Sequence, residues 1–133
     1  MTTGYGAREM GERIERSLEN CGWKRVGSGE LFRIELPVVL YFNYQRLVLY
    51  ISPVDDGYYV SDDGETFAEY SGDAKDYFTL FNERDAGPHY GIGLHEGHIC
   101  KRYACDDSVI SAIDEFVRFF ILLDRFMLDN DVV

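Results

Sequence analysis

The sequence predicts an α+β fold in which a small antiparallel sheet is flanked by an N-terminal helix, a middle helical segment and a long apolar C-terminal helix. Segments with helical spacing of apolar residues lie at both ends of the chain, and short β-rich runs separated by tight turns lie between them. A length of 133 residues suits one compact core, and 46% of the residues are hydrophobic. Residues 1–133 are therefore predicted to form a single domain.

The first helix is predicted from apolar residues that recur on one helical face. They are Ala7, Met10, Ile14, Leu18 and Cys21. Charged residues occupy most of the remaining positions, which is the pattern of an amphipathic helix. Gly22 suits the left-handed position that follows a helix. The spacing predicts a helix over residues 6–21.

Three β-like runs follow. Residues 31–36 and 38–42 are separated by Pro37, which has no N–H for a ladder and is expected at a strand start or a sheet edge. Residues 47–52 form the clearest strand, because β-branched and aromatic side chains dominate it. These runs predict the centre of the sheet.

A tight hairpin turn is predicted at Asp55-Asp56-Gly57, because Asp-Gly tolerates positive φ. Residues 58–61 would be the returning strand. The second acidic turn, Asp62-Asp63-Gly64, would end that strand.

The middle of the chain predicts helix and then a second hairpin. Residues 66–70 begin a helical segment, and residues 73–85 continue as an amphipathic helix that ends before a Gly-Pro pair. Residues 90–94 and 98–103 are predicted to pair as antiparallel strands.

A long closing helix is predicted over residues 107–128, with Asp106 or Asp107 as its N-cap. One apolar stripe would face the core: Val109, Ile113, Val117, Phe120 and Met127. A second flank carries Phe119, Leu122 and Phe126. This flank is either buried between the sheet and the first helix or used as a dimer interface, because so small a domain has difficulty covering both sides of one helix.

The charge of the chain is strongly negative and unevenly placed. The net charge is −11, and no basic residue lies between Arg46 and Lys75. That interval holds Asp55, Asp56, Asp62, Asp63, Glu65, Glu69 and Asp73. Such a surface repels free nucleic acid and attracts basic partners or divalent metals. The alternative is an acidic face that only keeps the protein in solution.

A basic protein surface is the predicted partner, with carboxylates imitating phosphates and tyrosines anchoring the contact. The predicted partner-binding residues are Asp55, Asp56, Tyr58, Asp62, Asp63, Glu65, Glu69 and Tyr70. The nucleic-acid-binding groove of an enzyme would present a suitable basic surface. For any single tyrosine, ordinary packing in the sheet is the competing interpretation.

Two segments could hold a metal. The acidic turn at Ser61-Asp62-Asp63-Gly64 offers hard oxygen ligands, but helix capping explains the same residues. The His and Cys residues between 89 and 105 suggest zinc, but they lack a Cys-x-x-Cys pair, and reduced cysteines in the core are favoured. We therefore predict no metal and no cofactor.

Motifs for catalysis and targeting are absent. The chain has no Gly-x-Ser-x-Gly elbow, phosphate-binding Gly-rich loop or His-Glu-x-x-His motif, so it is predicted not to be an enzyme. No apolar run approaches the roughly 18 residues of a membrane span. The N-terminus lacks a signal peptide pattern, and three cysteines do not make a disulfide framework. A cytoplasmic protein is predicted.

The order of the elements resembles a bacterial and phage family catalogued as domain of unknown function 1828. The hallmark of that family is a Thr-Asp-Asp-Gly-like turn after a short strand, which corresponds here to Ser61-Asp62-Asp63-Gly64. The later match is Tyr90-Gly91-Ile92 with a Glu96-Gly97 tip. The family's Thr-Pro-Phe appears here only as Leu36-Pro37-Val38. The resemblance implies an α+β fold and an origin on phages or mobile elements, and it supplies no catalytic residues.

Three hypotheses follow. The first is a non-enzymatic acidic inhibitor of a host defence system that handles nucleic acid, such as a CRISPR effector or a restriction enzyme. The second is a regulatory or assembly module that dimerises through its closing helix. The third is a small metal-dependent enzyme.

Overall fold

The computed structural model describes residues 5–19, 23–26, 31–66, 74–84 and 90–129. Within these residues the elements in chain order are α1 (Ala7–Leu18), β1 (Trp23–Val26), β2 (Leu31–Leu40), β3 (Gln45–Val54), β4 (Gly57–Ser61), α2 (Ala74–Arg84), β5 (Gly93–His95), β6 (His98–Ala104) and α3 (Val109–Asp129). The predicted α+β fold, with N-terminal, middle and C-terminal helices around an antiparallel sheet, is confirmed.

The described strands form one antiparallel sheet in the order β1-β2-β3-β4-β6-β5. The two predicted runs on either side of Pro37 form one continuous strand, β2. The register between β2 and β3 shifts between Glu35 and Val39, so Pro37 lies where the ladder is irregular. This explains how a residue without an N–H is accommodated inside a long strand. Strand β1 was not predicted.

The turn between β3 and β4 differs in detail from the predicted Asp-Gly turn. Val54 pairs with Gly57, so Asp55 and Asp56 form the tip, and Asp56 takes the positive φ of 60°. Gly57 already belongs to β4. A Cβ atom at this position would collide with the backbone carbonyl oxygen of Tyr103 on β6. Glycine is therefore required for the close approach of two strands.

Helices α1 and α3 cover one face of the sheet. Met10, Ile14 and Leu18 of α1 are fully buried there, as the helical spacing predicted. The core strands contribute alternate residues to the same face, among them Phe32 and Ile51. Alternation leaves the side chains between them on the opposite face, which no described helix covers.

The flank of α3 that was predicted as a dimer interface lies in the core. Phe119 is completely buried and Phe126 is 7% exposed. The ring of Phe81 on α2 packs edge-on against both, with centroid distances of 5.3 Å to Phe119 and 5.4 Å to Phe126. Leu122 is partly buried against the same core. The prediction is wrong for the two phenylalanines because α2 covers this flank.

A buried carboxylate joins α3 to the connection between β2 and β3. Asp124 is 8% exposed and accepts hydrogen bonds from the backbone N–H groups of Tyr41 (3.1 Å) and Phe42 (2.9 Å). Charge-assisted bonds to backbone donors are stronger than neutral ones. Asp124 therefore fixes the position of this connection on the helix.

Candidate functional site

Four exposed carboxylates meet at one end of the sheet. The first acidic cluster comprises Asp55, Asp56, Asp106 and Asp107. Its two halves come from the β3–β4 turn and the β6–α3 loop, which are joined because the N–H of Cys105 donates to the carbonyl oxygen of Asp56 at 3.0 Å. The fold thus brings Asp106 and Asp107 to the same end of the sheet as Asp55 and Asp56. The sequence predicted binding carboxylates here only at the β3–β4 turn.

The β3–β4 turn also holds the start of α1. The backbone N–H of Tyr5 donates to Oδ1 of Asp56 at 2.6 Å, and that of Ala7 donates to Oδ1 of Asp55 at 3.1 Å. These carboxylates satisfy N–H groups that have no partner inside the helix. Asp55 and Asp56 are therefore structural acceptors that still present negative charge to solvent.

The predicted partner-binding residue Asp62 is in the interior. It is 1% exposed. Its Oδ1 accepts hydrogen bonds from the N–H groups of Gly64 (2.8 Å) and Ile99 (2.9 Å), and its Oδ2 accepts from that of Thr66 (3.1 Å). This carboxylate organises the acidic turn and ties it to β6. The prediction that Asp62 contacts a partner is corrected, and its capping of backbone N–H groups is the observed role.

A second acidic cluster lies at the other end of β4. It comprises Asp63, Glu65 and Glu96, all exposed. His98 brings the two turns together, because its Nδ1 lies 3.9 Å from Oδ1 of Asp63. Strand β4 separates this cluster from the first by about 17 Å, at a rise of about 3.4 Å per residue. The expected single acidic face is thus divided between two ends of the sheet.

Tyr58 is a core residue and not a surface anchor. It is fully buried, its ring stacks on Tyr103 with a centroid distance of 5.3 Å, and its hydroxyl donates to the carbonyl oxygen of Asp107 at 2.8 Å. The prediction that Tyr58 binds a partner is therefore wrong. It failed because β4 alternates, and Tyr59 is the residue that faces outward, 40% exposed. Glu69 and Tyr70 lie outside the described residues.

The uncovered face of the sheet carries mixed charge rather than purely acidic side chains. Arg33 and Tyr50 are paired across β2 and β3, and Tyr59 and Arg102 across β4 and β6. The hydroxyl of Tyr50 donates to Oε2 of Glu65 at 2.7 Å. The pKa of Arg33 is raised, mainly by its hydrogen bond to Glu35. The acidic character is consequently concentrated at the two ends.

A polar network that the sequence did not indicate joins β6 to α3. Nζ of Lys101 lies 2.7 Å from Oε1 of Glu115, and the hydroxyl of Tyr103 donates to the same oxygen at 2.6 Å. Lys101 also donates to the carbonyl oxygen of Tyr90 at 2.6 Å. A cleft of about 240 Å³ opens beside this network, next to Ser108. Lys101, Tyr103 and Glu115 each form a hydrogen bond within the chain, so their contacts are accounted for by a structural role.

Because of two buried tyrosines, the free energy of unfolding depends on pH in the alkaline range. Burial raises the pKa of the hydroxyl groups of Tyr58 and Tyr103, and the hydrogen bond to Glu115 raises that of Tyr103 further. In the unfolded chain both ionise near pH 10, as indicated by the usual tyrosine pKa of about 10. Above that pH the folded state binds more protons than the unfolded state, so stability falls as pH rises.

We expect each of these tyrosines to contribute a slope of up to about −1.4 kcal/mol per pH unit to the free energy of unfolding above pH 10. Urea titrations between pH 8 and 11.5 measure it. The variant Tyr103→Phe should show a shallower slope, whereas the exposed control Tyr59→Phe should keep that of the natural chain. Equal slopes in all three proteins would contradict the assignment.

The cysteine and histidine residues do not form a metal centre in the part of the chain that the structure describes. There, no group of three or more His, Cys, Asp or Glu side chains is placed to hold an ion. Cys100 is half-buried, and burial raises the pKa of its thiol. His89 lies outside the described residues. The hypothesis of a metal-dependent enzyme stays a prediction.

Comparisons with protein-family models, with curated proteins and with solved structures found no match to this chain. The resemblance carried by the Ser61-Asp62-Asp63-Gly64 turn therefore stays a prediction. Among the helices described, none is both long and apolar enough to cross a membrane. The geometry of the two acidic clusters is thus the main basis for a functional proposal.

Proposed function

We propose that this chain is a non-enzymatic acidic binding protein that docks on a basic surface of an enzyme that handles nucleic acid. The observation that supports this most is the grouping of exposed carboxylates at both ends of β4, in a chain with a net charge of −11. Two negative clusters separated by the length of a strand suit a basic groove or two basic patches. Complementary charge would accelerate the encounter and exclude acidic partners.

Internal hydrogen bonds favour this role because they fix the clusters in place. Asp55 is held by the first N–H of α1, Asp56 by the N–H of Tyr5 just before that helix, and Glu65 by Tyr50. Carboxylates that are already ordered lose less entropy on binding than mobile ones. Tyr59 is exposed on the strand between the clusters and is the aromatic residue best placed to contact the partner.

The biological context of the proposal comes from the family resemblance. An origin on phages or mobile elements makes a host defence enzyme, of the CRISPR effector or restriction type, the proposed target. Binding would block the groove that the target uses for nucleic acid, and the chain itself would carry out no reaction. Capture of one such enzyme from host lysate by the tagged protein, with release in high salt, is the first expected result.

Neutralising either acidic cluster should weaken binding to the captured enzyme. Asp55→Asn, Asp56→Asn and Asp106→Asn together remove three charges and retain side-chain oxygens that can accept the N–H groups of α1. Asp63→Asn, Glu65→Gln and Glu96→Gln do the same at the other end. We expect each triple variant to raise the dissociation constant at least about tenfold, which corresponds to about 1.4 kcal/mol.

Biolayer interferometry at two salt concentrations measures these affinities, and cleavage of a DNA substrate measures the inhibition. The matched control neutralises three exposed acids elsewhere, Glu12→Gln, Glu19→Gln and Asp129→Asn, and should change affinity less than about twofold. An equal loss in control and cluster variants would mean that overall charge alone attracts the partner. Unchanged affinity in both cluster variants would refute docking through these clusters.

A further inference from the structure

The solvent side of α3 carries a row of apolar side chains. The α3 stripe comprises Ile110, Val117, Ile121 and Leu128. Ile110, Ile121 and Leu128 are 47%, 46% and 38% exposed, and Val117 is partly buried. At 3.6 residues per turn these four positions fall within about 40° of one another around the helix. The row spans most of the helix and is distinct from the buried flank of Phe119 and Phe126.

The connection between β2 and β3 extends this apolar surface. Tyr41 is 63% exposed, and its backbone lies against α3 because its N–H donates to Asp124. Asp124 is one helical turn from both Ile121 and Leu128. Of the seven large apolar residues that the described chain exposes, five lie on α3 or in this connection, and only Val39 and Tyr59 lie within strands. Such a concentration is typical of an interaction surface.

The charges beside the α3 stripe are self-complementary. Asp114 and Arg125 are both exposed on the same flank of the stripe. Along the helix axis the midpoint of the stripe is at the level of residue 119, five residues after Asp114 and six residues before Arg125. A two-fold axis at that midpoint places Ile110 opposite Leu128 of a second copy. Measured along the helix axis, Asp114 then lies only about 1.5 Å, the rise of one residue, from Arg125 of the second copy.

A parallel arrangement is disfavoured by the same charges. It would leave Asp114 and Arg125 of the two copies 11 residues apart along the axis, so that no opposite-charge pair could form between them. The antiparallel arrangement forms two opposite-charge pairs, one on each side of the axis, and pairs apolar residues throughout. The stripe therefore matches a second copy of itself in one direction only.

We propose that this protein forms an antiparallel two-fold dimer through the α3 stripe, with Asp114 of each copy beside Arg125 of the other. One helix and one adjoining connection make a small interface, so we expect a reversible dimer with a micromolar dissociation constant. The contact uses no carboxylate of the two acidic clusters. Its failure would leave the proposed docking function untouched, and the reverse is also true.

Sedimentation velocity and light scattering over a concentration series test the dimer with the full chain. We expect the mass to rise from monomer to dimer with concentration. Ile121→Glu, at an exposed position near the two-fold axis, should weaken the association at least about tenfold. The control Tyr59→Glu adds the same charge on the uncovered sheet face and should dimerise normally. A natural chain that stays monomeric up to about millimolar concentration overturns the proposal.

A charge exchange tests the direction of the helices. Asp114→Arg and Arg125→Asp should each weaken the dimer severalfold, and the double variant should restore it, because the pairs reform with reversed charges. Asp114 also pairs with Arg118 of its own chain at 3.0 Å. Arg118→Gln controls for that bond and should leave dimerisation unchanged. A double variant that is weaker than both single variants overturns the antiparallel arrangement.

Discussion

Replacing Asp62 by Ala should lower the free energy of unfolding by about 3–5 kcal/mol, because each buried polar group that loses its partner costs about 1–3 kcal/mol. The carboxylate accepts from the N–H groups of Gly64, Thr66 and Ile99, and alanine can accept from none of them. Two of these three bonds are buried. Loss of Asp62 would release both the acidic turn and the start of β6.

Urea denaturation followed by circular dichroism measures this effect. Asp62→Asn is informative because its amide oxygen remains an acceptor, whereas its NH₂ group faces another donor. We expect this variant to lower the free energy of unfolding by about 2 kcal/mol. The neighbouring exposed carboxylate is the matched control, and Asp63→Asn should change stability by less than about 0.5 kcal/mol. Similar losses at both positions would show that Asp62 is not the organising residue of the turn.

The helices could be predicted because their burial follows a local period. Met10, Ile14 and Leu18 fall on one face at helical spacing, and the structure buries all three. The second hairpin was also predicted, from its Glu96-Gly97 tip. In the structure both residues adopt the positive φ that a tight turn requires. In these cases the residues that determine an element lie within it.

Long-range contacts explain what the sequence could not predict. Asp62 and Asp63 are adjacent and chemically identical, but only Asp62 accepts from Ile99 of β6, in addition to the local donors Gly64 and Thr66. Likewise, the acidic cluster around Asp56 depends on its backbone bond to Cys105, which is far along the chain. Charge counted along the sequence therefore predicted one acidic face, whereas the topology forms two clusters from different segments.

The position of α2 decides the role of the second flank of α3. A wide apolar arc on a helix indicates that much of it is covered, but it does not identify what covers it. Phe119 contacts rings from α2, from α3 itself and from Tyr90, so its burial is complete within one chain. The exposed stripe of Ile110 and Ile121 lies on another side of the same helix. The sequence could therefore predict a wide apolar arc on α3, but not which of its residues are covered within the chain.

Replacing Phe119 by Ala should destabilise the monomer by about 3–5 kcal/mol, the usual cost of removing a buried aromatic ring and leaving a cavity. The ring lies 5.3 Å from that of Phe81 and 5.7 Å from that of Phe120, centroid to centroid, and is 0% exposed. Thermal and urea unfolding at a fixed low concentration measure the loss without a contribution from self-association. Phe119→Leu, which keeps most of the volume, should lose less than half as much.

The same variant distinguishes a core residue from an interface residue. If Phe119 belongs to the core, Phe119→Ala lowers the unfolding midpoint equally at every protein concentration below the dimer dissociation constant, because the monomer itself is weakened. An interface residue would leave the monomer stable and reduce only the mass measured at high concentration, as Ile121→Glu is expected to do. A stable monomeric Phe119→Ala variant that no longer dimerises would reverse the assignment of the two flanks and return the interface to the side that α2 covers.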